Sequence, residues 1–247
     1  MESKQNNRVT CYTALDLETT GLDPKKDKII EIGAAKVVDG VVTQTYSKLV
    51  KPGRNLSDIV TELTGITDEL LAEEAIEPED AIRELLDFLG DDYLLGHSIL
   101  FDFSFVKRCA VNEKLTYEAE AIDTLKLARK YLTELPSRSL PALCEYFQIQ
   151  RKSHRALEDA LATVELYEKL CEQYYDADEF MPQKLIYQVK RESPASKRQK
   201  DYLRRLVHFH GIDIDYDIER LTKNEASRYT DQIILKHGRM PRDNESS

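Results

Sequence analysis

Asp16 and Glu18 lie two residues apart in the stretch Ala14-Leu-Asp-Leu-Glu-Thr-Thr-Gly-Leu-Asp23. The run before them, Thr10 to Leu15, favours a strand, and Gly21 and Pro24 mark its exit. Successive strand side chains alternate faces, so the two carboxylates share one surface, roughly 6–7 Å apart. Like charges that close raise each other's pKa unless a cation sits between them. A hard divalent cation, Mg²⁺ or Mn²⁺, suits oxygen donors of this kind. Read alone, the pair is more simply a solvated strand face, and what else the chain supplies changes that balance.

Three further segments bear on that choice. In Gly96-His-Ser-Ile-Leu-Phe-Asp-Phe-Ser-Phe105, Asp102 falls in the first turn of an expected helix, where the helix dipole favours a carboxylate in any case. In His154-Arg-Ala-Leu-Glu-Asp159 the two end residues are five apart. On a helix that step diverges by roughly 140°, so the side chains cannot meet if both are mid-helix. Either the pair is unrelated, or His154 lies on the loop entering the helix and swings toward Asp159. Asp123, at a strand end, is as apt to cap the next helix as to touch a substrate, and stays outside the candidate metal set.

Positioning these residues needs a sheet. Ile29 to Val38 reads as a second strand, Asp39-Gly40 as a tight hairpin turn, and Val41 to Val50 as a third strand. Short turns make this an antiparallel meander, which excludes an all-parallel dinucleotide fold. Helices are expected over Glu62–Glu74 and Glu79–Leu89, the latter with an apolar stripe at Ile82, Leu85, Leu86 and Leu89. Tyr93–His97 and Glu120–Thr124 read as short strands; Phe101–Val111, Thr124–Leu132, Leu140–Phe147 and Arg155–Tyr174 read as helices. A mixed sheet with helices on both faces, α/β in class, follows.

Composition bounds the rest. The 247 residues, 41% hydrophobic and 32% charged, suit one large domain or a medium domain with an appendage. No apolar run is long enough to span a bilayer, and the N-terminus has no apolar signal core, so no membrane partner is expected. Cys11, Cys109, Cys144 and Cys171 form no Cys-x-x-Cys pair, and free thiols in a reducing, cytoplasmic setting are expected. The net charge of −10 is uneven: residues 1–181 carry 21 Lys and Arg against 35 Asp and Glu, residues 182–247 carry 14 against 10. That asymmetry hints at nucleic-acid contact. The expected organisation is a catalytic domain over 8–176, a linker over 177–195 and a small basic helical module over 196–240. Its first helix, Lys197–His210, mixes basic residues with Tyr202, His208 and Phe209; it suits a nucleic-acid backbone, a protein partner or a cap on the catalytic domain.

Taken in order, Asp-x-Glu-Thr-Thr-Gly-Leu, Gly-His-x-x-x-Phe-Asp and His-x-x-x-x-Asp resemble the three motifs of the DEDDh exonuclease family, over roughly residues 8–175. The resemblance implies a ribonuclease-H-like fold with a five-stranded mixed sheet. It implies 3′→5′ hydrolysis of phosphodiester bonds in single-stranded DNA, with two Mg²⁺ or Mn²⁺ ions per site and release of nucleoside monophosphates. It implies metal ligation by Asp16, Glu18, Asp102 and Asp159, His154 as general base, and contacts from Thr19 and Leu22 to the terminal nucleotide. The partners implied are a single-stranded DNA or RNA 3′ end and a DNA polymerase or another replication or repair protein. No residue pattern reads a 2′-hydroxyl, so an exoribonuclease trimming RNA ends is the alternative. Ser98 stands where many members carry Asn, and Thr64 where many carry His.

Overall fold

A computed structural model describes residues 8–151 and 155–241 and divides the chain into two compact units, residues 1–52 with 56–189 and residues 53–55 with 190–247. In the first unit, strands β1 (Tyr12–Thr19), β2 (Ile29–Val38) and β3 (Val41–Leu49) form the expected meander. Asp39 (φ 52°) and Gly40 (φ 77°) take the left-handed conformation that the β2–β3 turn requires. Strand β4 (Leu94–Gly96) joins β1 in parallel, and β5 (Glu120–Asp123) joins β4 in parallel. A two-residue strand β6 (Gln183–Lys184) closes the far edge, giving the order β3-β2-β1-β4-β5-β6.

Two elements differ from the sequence expectation. The sheet has six described strands rather than five, because Gln183 and Lys184 pair with Ala121 and Glu120. Two residues are too few for a period-2 pattern to register. For the same reason the stretch 177–195 is not linker throughout: Phe180 is buried against Tyr131, Tyr167 and Tyr175, and Leu185 is buried beneath the sheet edge. The second difference is that the single helix expected over Glu62–Glu74 is two, α1 (Asp58–Thr64) and α2 (Asp68–Glu74). Gly65 ends α1 in the left-handed conformation, and the Thr67 side chain caps α2.

The period-2 alternation of β1 sorts the helices. Leu15 and Leu17 face α3 (Pro78–Leu89) and α4 (Leu100–Asn112) in one apolar cluster. Tyr12 and Ala14 face α5 (Thr124–Tyr131), α6 (Leu140–Phe147) and α7 (Ala156–Tyr174) in another. Both sheet faces are therefore covered, and Asp16 and Glu18 continue the α7 side.

The second unit holds α8 (Lys197–His210), a short 3₁₀ turn at Ile218–Arg220 and α9 (Lys223–His237). Both helices open with capping boxes, Ser196 with Gln199 and Thr222 with Glu225. Leu203, Leu206, Leu221, Ala226 and Ile233 form its core. Its basic stripe is less open than the sequence suggests, since Lys200 and Arg204 both turn onto Glu219. Among the described residues, no helix is long and apolar enough to cross a membrane. The cysteines are free; Cys144 and Cys171 are buried, and Cys11 is exposed.

Candidate active site

The carboxylates meet at the end of β1. Asp16 pairs with Gly33 across the β1–β2 ladder, and Glu18 pairs with Glu31. Asp159 sits in the first turn of α7, where it is buried. Carboxylate oxygens of Asp16, Glu18 and Asp159 all lie within 4.8 Å of one another. Asp102 falls outside that trio. Its Oδ1 accepts from the Leu17 N–H at 3.0 Å, on the side of β1 where β4 has already ended. Buried Asp102 thus replaces a missing ladder partner at the edge of β1, beside Asp16.

Electrostatics bind the four into one unit. Burial pushes the Asp16 carboxyl well above the usual range, and the neighbouring Asp102, Asp159 and Glu18 carboxylates push it further. Glu18 is raised to about 7, first by desolvation, then by Asp159 and Glu31, with Arg151 and Arg155 opposing. Asp102 is raised by burial despite its backbone hydrogen bonds. A protein that crowds carboxylates in this way without cations keeps some of them protonated at neutral pH. All-oxygen, anionic donors at these spacings fit hard divalent cations such as Mg²⁺ or Mn²⁺.

The raised Glu18 carries a pH consequence. Between about pH 4.5 and about 7 the folded protein binds more protons at Glu18 than the unfolded chain does. The slope of stability with pH is therefore negative in that window, and stability is lost as pH rises through it. In a chelator, urea melts should show about 2 kcal/mol less stability above this window than below it from Glu18 alone, after allowing for solvent screening. Glu18→Gln should flatten that slope; an unchanged slope would mean that Glu18 is not the titrating group.

Arg151 was not singled out by the sequence, and no spacing signals it. Its guanidinium forks onto Asp159, Nη2 to Oδ2 at 2.6 Å and Nε to Oδ1, supplying positive charge to the cluster. Glu31 and Arg155 were missed as well, although an acid inside Ile29-Ile-Glu-Ile32 is itself a signal in a buried strand. His154, the expected base, lies outside the described residues.

Asp123 caps α5, accepting from Leu125 N at 3.0 Å, and also accepts from Ser98 N at 3.0 Å. Ser98 is left-handed (φ 71°), a conformation that Asn tolerates better than Ser. His97 links Thr124 Oγ1 at 3.0 Å to the Arg138 carbonyl at 2.9 Å, and burial holds its pKa down. These groups brace the β4–α4 turn that delivers Asp102. At the end of β1, Thr19 Oγ1 donates to the Gly21 carbonyl at 2.7 Å, while on the β1–β2 loop Leu22 projects with 84% of its surface exposed. Asp27 supports that loop by accepting from Asp23 N at 2.9 Å.

Residues 13–167 match the family model of RNase T, described as an exonuclease. The chain is 33% identical over 166 residues to the DNA polymerase III subunit epsilon of Aquifex aeolicus strain VF5, covering 66% of this chain and 82% of that protein. It is 33% identical over 243 residues to the PolC-type DNA polymerase III of Bacillus subtilis strain 168, covering 91% of this chain. It spans only 17% of that polymerase, and 12% of the PolC-type enzymes of Caldanaerobacter subterraneus and Thermotoga maritima. Among solved structures, Exonuclease X in complex with 5′ overhanging duplex DNA is similar at a TM-score of 0.53 and 26% identity, covering 68% of this chain and 96% of that one.

Proposed function

Since the chain belongs to the RNase T exonuclease family, with a ribonuclease-H-like mixed sheet and epsilon-type relatives, we propose that it is a metal-dependent 3′→5′ exonuclease acting on single-stranded DNA. The observation that carries this reading is the convergence of Asp16, Glu18 and Asp159 within 4.8 Å. An anionic site of that kind repels a phosphodiester unless cations are held in it. Asp16, Glu18 and Asp159 would hold two divalent ions, with Asp102 completing the shell around them. Bound there, the ions would offset charge on the attacking and leaving oxygens.

The chain's own residues do the rest. Leu22, exposed on a loop that Asp27 props, would wedge against the last base, and the backbone at Thr19 would receive the terminal hydroxyl. His154, two residues before α7, would accept the proton of the attacking water. DNA is favoured over RNA because the named relatives are DNA polymerase III proteins and Exonuclease X was solved on DNA. Action beside a replicative polymerase, in proofreading or repair, is the corresponding partner reading.

The test is digestion of matched 5′-labelled DNA and RNA single strands, with Mg²⁺ and with a chelator. A ladder of shortened DNA products, abolished by chelation, is expected; faster loss of the RNA would move the assignment to an exoribonuclease, and internal cuts would overturn it. In the same assay His154→Ala should slow turnover by about 10²–10⁴-fold, the usual contribution of a general base. Unchanged turnover would remove His154 from the chemistry.

A further inference from the structure

Glu31 is 1% exposed, in a strand whose neighbours Ile30 and Ile32 are fully apolar and buried. Its Oε1 accepts from Arg155 Nε at 2.8 Å and lies 2.6 Å from Arg155 Nη2, while its Oε2 accepts from the Ala156 N–H at 3.1 Å. Ala156 is the first residue of α7, so the carboxylate satisfies one of the helix's open N–H groups and faces the positive end of its dipole. Arg155 has no capping side chain of its own. Glu31 therefore supplies the cap from the neighbouring strand.

The placement of this anchor matters for chemistry. Glu31 stands directly opposite Glu18 in the β1–β2 ladder, and Asp159 follows Ala156 by less than one turn, its N–H bonded to the Arg155 carbonyl at 3.0 Å. Any shift of the Arg155–Ala156 step is passed through that rigid turn to Asp159. Resting on the reading of Asp159 as a metal ligand, the geometry points to Glu31 and Arg155 as positioning residues that set where the Asp159 carboxylate lies relative to Asp16 and Glu18. Neither touches the reacting atoms. An ion pair with one partner buried is a weak source of net stability, since taking that charge out of water offsets much of the attraction. Its value here is a fixed geometry: charge-assisted, forked hydrogen bonds tolerate little displacement. Outer groups that orient metal ligands commonly change metal affinity by about 10–100-fold.

The experiment is calorimetric titration of the full chain with Mn²⁺, well below the melting temperature, for the wild type, Glu31→Gln, Arg155→Gln, the double variant and Asp159→Asn. Gln at 31 still accepts from the Ala156 N–H but loses the charge that grips Arg155. Arg155, with 41% of its side chain exposed, can be replaced without leaving a cavity. Each single variant should weaken Mn²⁺ binding by about 10-fold or more. The double variant should be no weaker than about twice the worse single, because the pair acts as one device. A purely structural pair would lower the melting temperature and leave Mn²⁺ affinity where it was. If Asp159→Asn abolishes binding while both single variants stay within twofold of the wild type, the positioning role is overturned and the metal site stands. If Asp159→Asn leaves Mn²⁺ binding intact, the metal reading of Asp159 falls and the positioning role falls with it.

Discussion

Asp16→Asn is expected to lower exonuclease turnover by at least about 10³-fold while the protein stays folded. A cation pair contributes several kcal/mol of charge stabilisation in the transition state, and each 1.36 kcal/mol is a factor of ten. Asp16 sits among the other carboxylates, and Asp102, Asp159 and Glu18 all act on it. Asn keeps the shape and removes the charge. The same substitution relieves the repulsion that raises Asp16 in the metal-free protein. Above the raised pKa, the wild type must ionise Asp16 against its neighbours, whereas the variant does not. In a chelator at alkaline pH the variant should therefore be at least as stable as the wild type. Added Mn²⁺ should reverse the order, since it stabilises only the protein that binds it. Urea melts with and without Mn²⁺, beside the digestion assay, check both halves. Wild-type turnover in Asp16→Asn would remove the carboxylate site from the chemistry altogether.

Gly33→Ala is expected to destabilise the protein by about 3 kcal/mol or more and to cost activity, although position 33 carries no side chain to lose. A Cβ there would lie 2.1 Å from the Ala156 carbonyl carbon and 2.1 Å from the Leu157 nitrogen. Both are backbone atoms of the first turn of α7, so no flexible side chain can yield. The helix would have to lift from the sheet, opening the contacts of Ala160, Tyr167 and Leu170 with Tyr12 and Ala14. Because Asp16 faces Gly33 in the ladder, the same displacement would carry Asp159 away from Asp16. Glycine here serves close approach; its backbone conformation is not left-handed. Denaturant unfolding and Mn²⁺ titration of Gly33→Ala measure the two effects. A variant within about 1 kcal/mol of the wild type and with full Mn²⁺ affinity would show that the first turn of α7 has room to move.

Local pattern was enough for the parts whose cause is local. The alternation of Leu15, Asp16, Leu17 and Glu18 placed two acids on one face, and the sheet keeps them there. Asp39-Gly40 specified its turn, and Ser196 and Thr222 marked helix starts that the structure shows capped as the pattern requires. Elements without a period escaped notice: β6 is two residues long, and Gly65 interrupted a helix that looked continuous. Asp123 as a helix cap was one of two readings, and the Leu125 and Ser98 N–H groups it accepts from select that one.

The sequence by itself determined which side chains carry charge, which of them share a strand face, and that the sheet is mixed and covered on both sides. Those properties depend on residue type and on periods of two and 3.6, which are written along the chain. Only the tertiary structure decided that Asp159 joins Asp16 and Glu18, that Asp102 holds the Leu17 N–H beside them, and that Arg151 turns onto the cluster. It also decided the seat that Glu31 and Gly33 make for α7. Each of these joins residues far apart in sequence or around a loop. Their separation is set by how closely one helix can approach one strand, a distance that no local spacing encodes.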